Sequence, residues 1–352
     1  MNEKLHLQEF SCPVPISDYD TVMLAHGGGG RLSHQLIEKL FISQFSNEYL
    51  SQNHDGAVIN IGGTRIAYST DSYVVNPVFF PGGNIGELAI NGTINDIAMC
   101  GAKPLYISLG LIIEEGLPMD ELWTIVQSMQ KAAAAAGVAI VTGDTKVVDR
   151  NKGDKIYINT SGIGIVPEGG NSNPLQVRPG DVILLSGFIA DHGIAIMSAR
   201  EGLQFQTTVI SDTAALHGLV ASMLAASRNI RVLRDPTRGG IASTLNELSM
   251  TCKLEFSIME DQIPVRDEVQ AACELLGFDP LYVANEGKLL AIVPPEDAEL
   301  ILATMKAHPL GRDAAIIGSV TSIPQAGVVM KTRIGSSRIV DMLSGEQLPR
   351  IC

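Results

Sequence analysis

Apolar and polar positions alternate along the chain in a way that separates strand-like from helix-like stretches. Residues 64–75 (TRIAYSTDSYVV) and 105–113 read as strands, with 86–100 between them as a helix stopped by Gly101 and Pro104. Residues 119–136 predict a second helix, and the apolar run 138–142 predicts a buried strand ending at Gly143 and Asp144. A further strand follows over 156–166. Residues 167–173, rich in Gly, Asn and Pro, form the natural domain boundary.

The second half repeats the style with other spacings. Residues 182–186 read as a strand, and a helix starts near Asp191 or His192. Residues 237–250 read as a glycine-led helix, 281–284 and 288–293 as strands flanking Asn285-Glu286-Gly287, and 297–307 as a helix. From Ser344 the ending SGEQLPRIC has neither period and predicts a tethered tail. The connections differ in length, so the pattern implies mixed α and β structure in two domains rather than a regular doubly wound sheet.

Composition narrows the classes. With 45% apolar and 18% charged residues the chain is neither disordered nor collagenous, and its 352 residues fit two domains with a sizeable core. A net charge of −13 argues against nucleic-acid binding through bulk electrostatics. The most apolar stretches fall short of the ~20 residues a membrane span needs. The first residues lack a secretory h-region, so a soluble cytoplasmic protein is expected. Five scattered cysteines, Cys12, Cys100, Cys252, Cys273 and Cys352, contain no C-x-x-C pair and argue against both a disulfide framework and a thiolate zinc site.

Several groups suit phosphate and metal chemistry. Gly27, Gly28, Gly29 and Gly30 precede a helical pattern over 32–41, so their amides can either close on phosphates or serve a hinge. Pro81-Gly82-Gly83-Asn84 has the same two readings. Asp55, Asp71, Asp96 and Asp144 stand at strand ends or beside glycine turns; converging carboxylates would suit a magnesium–nucleotide site, while singly each reads as a turn residue. Asn91 and Asn95 make a polar stripe on the 86–100 helix, either lining a nucleotide or facing solvent. Lys146 could neutralise a phosphoryl group or move a proton, or simply pair at the surface. Arg234-Asp235-Pro236-Thr237-Arg238-Gly239-Gly240 reads as a backbone anion site with a nearby carboxylate, or as a turn capped by Thr237. Glu286 is a general acid or base if burial raises its pKa, or else an exposed bend.

Cys352 is the least ordinary feature. As the last residue it is no prenylation site, and the polar tail before it argues against a core role. Extended, the arm from Ser344 reaches roughly 30 Å, enough to carry a thiol between a pocket and a partner. Arg350 and positive groups in a pocket would lower the thiol pKa, Ile351 would anchor the tip and Pro349 would limit its flexibility.

Taken together, HGGGGR, HDGAV, TDSYVVNPVFFPGGNIGELAINGTINDIAMCGA, EEGLPM, TGDTKVV, DPTRGG, NEGKLL and the ending PRIC resemble the HypE family of hydrogenase maturation proteins along essentially the whole chain. NDIAMCGA and DPTRGG are shared more widely with the PurM-like superfamily, whereas PRIC is specific. The resemblance implies an α+β, PurM-like two-domain fold: an ATP-binding domain over 1–168 whose sheet pairs with a second subunit into a barrel, a C-terminal α/β domain over 174–335, and a tail over 336–352.

It also implies chemistry. Cys352 would be carbamoylated by the carbamoyltransferase HypF, dehydrated with ATP to a thiocyanate, and relieved of its cyano group by iron on the HypC–HypD complex. The homodimer would bind ATP with Asp71, Asn91, Asn95, Asp96, Asp144 and the glycine loop, and Mg2+ with Asp55, Asp71, Asp96 and Asp235. A thiocarbamate oxygen is a poor leaving group, so ATP would convert it to phosphate before the N–H protons are lost; Lys146 and Glu286 are the candidates to assist. Alternatives are another PurM-like enzyme acting on a free small molecule, or an ATP-responsive scaffold.

Overall fold

The computed structural model describes residues 19–170, 172–200, 209–344 and 350–352. The first part is a five-stranded sheet of β1 (Ala57–Ile61), β2 (Thr64–Tyr73), β3 (Lys103–Glu114), β4 (Ala139–Val148) and β5 (Ile156–Ile165), in the order β1-β2-β5-β3-β4. All neighbours are antiparallel except β3 and β4. A short helix α1 (Arg31–Leu36) precedes the sheet, and α2 (Ile85–Met99) and α3 (Met119–Ala136) pack with it.

The local causes are legible. In α3 the residues Ile125, Met129 and Ala133 recur every fourth position and form its buried stripe. The helix stops at Gly137, which takes the left-handed conformation (φ 67°) and turns its amide back to Ala133 and Ala134. Helix α2 is buried almost all round, because the sheet covers one side and the second domain the other. Gly162 and Gly164 on β5 permit its approach, since a Cβ at either would stand 2.6 Å from Ile97.

The second part is a seven-stranded sheet of β6 (Val182–Leu185), β7 (Val232–Arg234), β8 (Glu255–Met259), β9 (Leu290–Val293), β10 (Ala315–Val320), β11 (Gly327–Lys331) and β12 (Ser337–Ile339), in the order β12-β11-β8-β10-β6-β9-β7. With it go α4 (Asp191–Arg200), α5 (His217–Ala226), α6 (Gly240–Cys252), α7 (Asp267–Leu276) and α8 (Pro295–Ala307). One core cluster joins Ile183, Leu185, Ile258 and Ile292 to α6 and α7; another joins Leu184, Leu233 and Ala291 to α5, α8 and the end of α2. Every residue of β9, which pairs with β6 on one side and β7 on the other, is buried, as its continuous apolar run predicts.

Three expectations need correction. The run 138–142 is not a buried strand ending at Gly143: only Val138 is buried, and residues 139–142 open β4, an edge strand that continues through Asp144 to Val148 and is exposed along nearly its whole length. Residues 281–284 are not a strand; Pro280–Tyr282 form a 3-10 turn because Asp279 accepts the Leu281 amide and Pro280 cannot donate to a ladder. Helix α6 begins at Gly240, with Gly239 in the left-handed conformation before it, so Thr237 lies in the preceding turn and does not cap.

Cys12, residues 345–348 of the tail and Pro349 lie outside the described residues. Cys100, Cys252, Cys273 and Cys352 are free thiols. Among the described residues no helix is long and apolar enough to cross a membrane.

Candidate functional site

Two glycine turns from distant parts of the sequence meet. Gly29 (φ 71°) packs on Arg238, where a Cβ would stand 2.6 Å from the Arg238 Cβ, and a Cβ on Gly239 would stand 3.0 Å from the Gly29 carbonyl oxygen. Gly30 lies against Leu343. The loop's donors turn mostly onto its own neighbourhood: Gly28 donates to Ala25 O (3.4 Å), Gly29 to Ser33 Oγ (3.0 Å) and Arg31 to Leu343 O (2.8 Å). A Cβ on Gly27 would meet open space.

Two adjoining cavities border this junction, and Gly27 and Arg238 line both. The larger, about 310 Å3, is acidic and brings together Asp55, Asp71, Asp96 and Asp235. The smaller, about 120 Å3, is lined by Ser72, Val74, Ala284 and the chain end Arg350-Ile351-Cys352.

The acidic cavity is electrostatically frustrated. Burial pushes the carboxyls of Asp55 and Asp96 well up, and Asp235 adds to both by repulsion; burial raises Asp235 itself to about 6. Arg234 relieves part of this, with Nε 2.7 Å from Asp55 and Nη2 2.8 Å from Glu247. Ser69 donates to Asp96 at 2.7 Å. Behind Asp55, burial and then Arg234 lower His54 to about 3, so a neutral imidazole accepts the Asp55 amide at 2.9 Å.

Among the described residues no three His, Cys, Asp or Glu side chains stand close enough to hold a metal alone. Asp55 Oδ2 is nevertheless buried without a hydrogen-bond partner among them. One or two carboxylates that complete their shell with phosphate oxygens and water is the way magnesium is usually held, so the donor set fits a cation arriving with a polyphosphate.

Cys352 is buried, against the expectation that a polar tail would keep it out of the core. Val74 donates its amide to Cys352 O (3.0 Å), Asn76 to Arg350 O (3.3 Å), and His192 Nε2 lies 2.8 Å from Ile351 O. Burial raises the thiol pKa; Arg238 opposes this, while Glu286 and Asp71 reinforce it. The expected helper Arg350 points elsewhere, to Val74 O (Nε, 3.1 Å) and Asp154.

Glu286 is buried, not an exposed bend. Its turn is held by Asn285, which donates to Pro236 O (2.8 Å) and accepts from the Ala190 amide (2.7 Å), while the Glu286 amide donates to Asp212 Oδ1 (3.0 Å). Burial raises its pKa far above the carboxylate range, with Asp235, Asp71 and Asp212 adding to the effect. Its Oε1 has no hydrogen-bond partner among the described residues.

Other candidates stand apart. Asp144 and Lys146 pair with each other (2.8 Å) on exposed β4, and that hydrogen bond lowers the Asp144 pKa. The sheet register runs Ser72, Asn159, Gly110, Asp144, so three strand spacings, about 14 Å, separate Asp144 from β2. Asn91 and Asn95 are buried rather than solvated. Asn95 donates to Ala214 O (3.0 Å) and Glu286 O (3.2 Å) and accepts from the Leu216 amide (2.8 Å), which pins α2 to the second domain. Neither Asn lines the acidic cavity. Gly82 admits residues 210–211 and Asn84 caps α2, which gives Pro81-Gly82-Gly83-Asn84 a packing role.

Arg238, His192 and Glu247 were not singled out from the sequence as site residues. Arg238 lay within DPTRGG, whose glycines drew the reading; His192 and Glu247 sit in ordinary helical patterns.

Residues 53–166 match the family model of the AIR synthase related protein N-terminal domain, and residues 178–331 that of its C-terminal domain. The chain is 56% identical over 332 residues to carbamoyl dehydratase HypE of Azotobacter vinelandii, covering 94% of this chain and 97% of that protein. It is 45% identical over 338 residues to the HypE of Escherichia coli K12, covering 95% and 100%. A crystal structure of hydrogenase maturation protein HypE in complex with ATP superposes with TM-score 0.80 at 50% identity, covering 94% of this chain and 100% of that one. HypE in a crystallised HypE–HypF complex gives 0.84 at 49% identity, covering 88% and 99%. Thiamine monophosphate kinase of Aquifex aeolicus, at 18% identity and TM-score 0.64, shares the fold. The chain therefore belongs to the HypE family of carbamoyl dehydratases, built on the two-domain fold of the AIR synthase related proteins.

Proposed function

We propose that this protein dehydrates an S-carbamoyl group on its own Cys352 to a thiocyanate at the expense of ATP, the step that makes the cyanide ligand for the iron of [NiFe]-hydrogenase. The observation that supports it most is the placement of the Cys352 thiol in a cavity that shares Arg238 and Gly27 with the acidic one.

ATP supplies the phosphoryl group that turns the carbamoyl oxygen into a leaving group, and magnesium offsets the charge on its phosphates. One or two of Asp55, Asp71, Asp96 and Asp235 would hold the cation together with phosphate oxygens and water. Arg238 lines both cavities, so its guanidinium can meet the phosphates on one side and the carbamoyl oxygen that takes the phosphoryl group on the other. The balance is simple: one N–H proton leaves as the oxygen is phosphorylated, and a second leaves with phosphate as the C≡N bond forms. Glu286 is the better placed acceptor, since a buried carboxylate with a raised pKa is a stronger base once ionised. Lys146, exposed and paired with Asp144, is the weaker candidate.

The wider reading follows the family. HypF would load Cys352 and the HypC–HypD complex would take the cyano group, in the cytoplasm. A homodimer would form through the uncovered face and edge of the first sheet, where Tyr68, Tyr106, Ile112, Val141 and Val147 are exposed. Intact-protein mass spectrometry with ATP and a carbamoyl donor tests the reading. A cyano adduct on the C-terminal peptide supports it; a tail left unmodified in the presence of a working donor contradicts it.

A further inference from the structure

The structure assigns His192 as the positioning residue that holds the Ile351 peptide and so presents the Cys352 thiol for dehydration. This rests on the dehydratase reading above and names a residue whose chemistry that reading does not use.

The hydrogen bonds around His192 fix its tautomer. A carbonyl oxygen can only accept, so the 2.8 Å contact with Ile351 O requires the proton on Nε2. Nδ1 is then bare and accepts from Ser211 Oγ at 2.8 Å, while Ser211 Oγ itself accepts the Thr213 amide at 3.2 Å. The neutral ring thus satisfies both of its own nitrogens. The ring is fully buried and stands edge-on to Phe80, with centroids 5.6 Å apart and planes at 84°. Burial lowers its pKa, which keeps this arrangement neutral.

The same loop reaches the candidate base. Asp212, next to Ser211, accepts the Glu286 amide at 3.0 Å and pairs with Lys288 at 3.0 Å, and Ser211 donates its own amide to Pro81 O at 2.8 Å. Ser211-Asp212 thus fixes His192 and the Glu286 turn from one short segment. The ring holds the thiol-bearing residue through its preceding carbonyl while Asp212 holds the backbone of the residue that is to take the proton. Geometry of this kind acts through position, because a hydrogen bond to a peptide carbonyl changes where the thiol sits without touching the reacting atoms.

The test compares wild type with His192→Ala and His192→Gln, whose amide nitrogen can restore the donor. In the resting protein, alkylation of Cys352 by iodoacetamide should be roughly tenfold faster in H192A and near wild type in H192Q, as expected for loss and recovery of one buried hydrogen bond. Single-turnover dehydration of the carbamoylated chain should slow by about tenfold in H192A with ATP affinity unchanged, and recover in H192Q. In wild type, the ring-nitrogen resonances of labelled His192 should move when Ile351 and Cys352 are removed. Unchanged alkylation in H192A, faster alkylation with unchanged dehydration, equal loss of dehydration in both variants, or resonances indifferent to removal of the last two residues would each overturn the assignment. Should H192A fail to fold, the resonance comparison decides, since it leaves His192 intact. Alkylation and resonances need no dehydration, so a wild type that never dehydrates counts against the proposed function alone.

Discussion

Val74 donates its backbone amide to Cys352 O at 3.0 Å, and two residues on Asn76 donates to Arg350 O at 3.3 Å, in antiparallel sense. The last three residues therefore lie beside the segment that follows β2, tied to it by two main-chain bonds. Main-chain bonds of this kind hold a segment whatever its side chains. The side chains then set how firmly it is held and how reactive it is.

Replacing Cys352 by Ala should abolish thiocyanate formation and leave ATP binding largely intact, because Cys352 lines the smaller cavity and the acids line the larger. Calorimetric titration with ATP beside a product assay checks both halves. Loss of both would contradict a carrier role.

Arg350 is the mechanical anchor. Its guanidinium takes Val74 O through Nε (3.1 Å) and Nη2 (3.0 Å) and pairs with Asp154. Arg350→Ala should raise the alkylation rate of Cys352 by about 3- to 30-fold; Asp154→Ala, which removes a partner 42% exposed, should raise it by about twofold at most.

Arg238 should work in the opposite direction. It is the charge that opposes the upward shift of the Cys352 thiol, so Arg238→Met should push the thiol higher and slow its alkylation at fixed pH. A pH profile of alkylation separates the two arginines: loss of Arg238 moves the profile to higher pH, while loss of Arg350 scales the rate.

The acidic cavity makes a prediction about stability. Burial raises the folded-state Asp235 carboxyl to about 6, above the ordinary carboxylate value, so the folded state binds the proton more tightly and the ligand-free protein loses stability as pH rises toward that value. Asp235→Asn should therefore stabilise the ligand-free protein at pH 7, by on the order of 2 kcal/mol, while weakening magnesium–ATP binding. Thermal melts at pH 5 and pH 7 with and without magnesium–ATP check this; the nucleotide complex should raise the midpoint more at pH 7 in wild type than in the variant.

Strand β4 tests the quaternary reading. Val141 and Val147 are 59% and 68% exposed on an unpaired edge. Val141→Lys with Val147→Glu should convert a dimer to monomers in light scattering at unchanged secondary structure. A wild type that is already monomeric would contradict the expected barrel.

Much of the fold is legible in the sequence because local rules decide it. Helix α3 follows from its Ile125, Met129, Ala133 stripe and the Gly137 stop, and β9 from its unbroken apolar run. What escaped depends on tertiary partners. The run after Val138 reads as buried from its apolar residues alone, yet it forms an exposed edge strand, and Asn95 reads as a polar stripe because its bonds go to residues more than a hundred positions away. The set Asp55, Asp71, Asp96 and Asp235, which the resemblance implies, lines one cavity, whereas Asp144, singled out by the same local pattern as three of them, stands on exposed β4; Arg238 and His192 carry no local signal, because their contacts are with distant parts of the chain.

The central claim is that the carbamoyl oxygen on Cys352 leaves as phosphate. Loading Cys352 with a carbamoyl group whose oxygen is a heavy isotope, then adding ATP, tests it in one mass spectrum of the released phosphate. The account predicts the heavy oxygen in inorganic phosphate, matched by loss of two hydrogens and the heavy oxygen from the C-terminal peptide. Heavy oxygen recovered in water, or retained on the peptide while ATP is consumed, would contradict it.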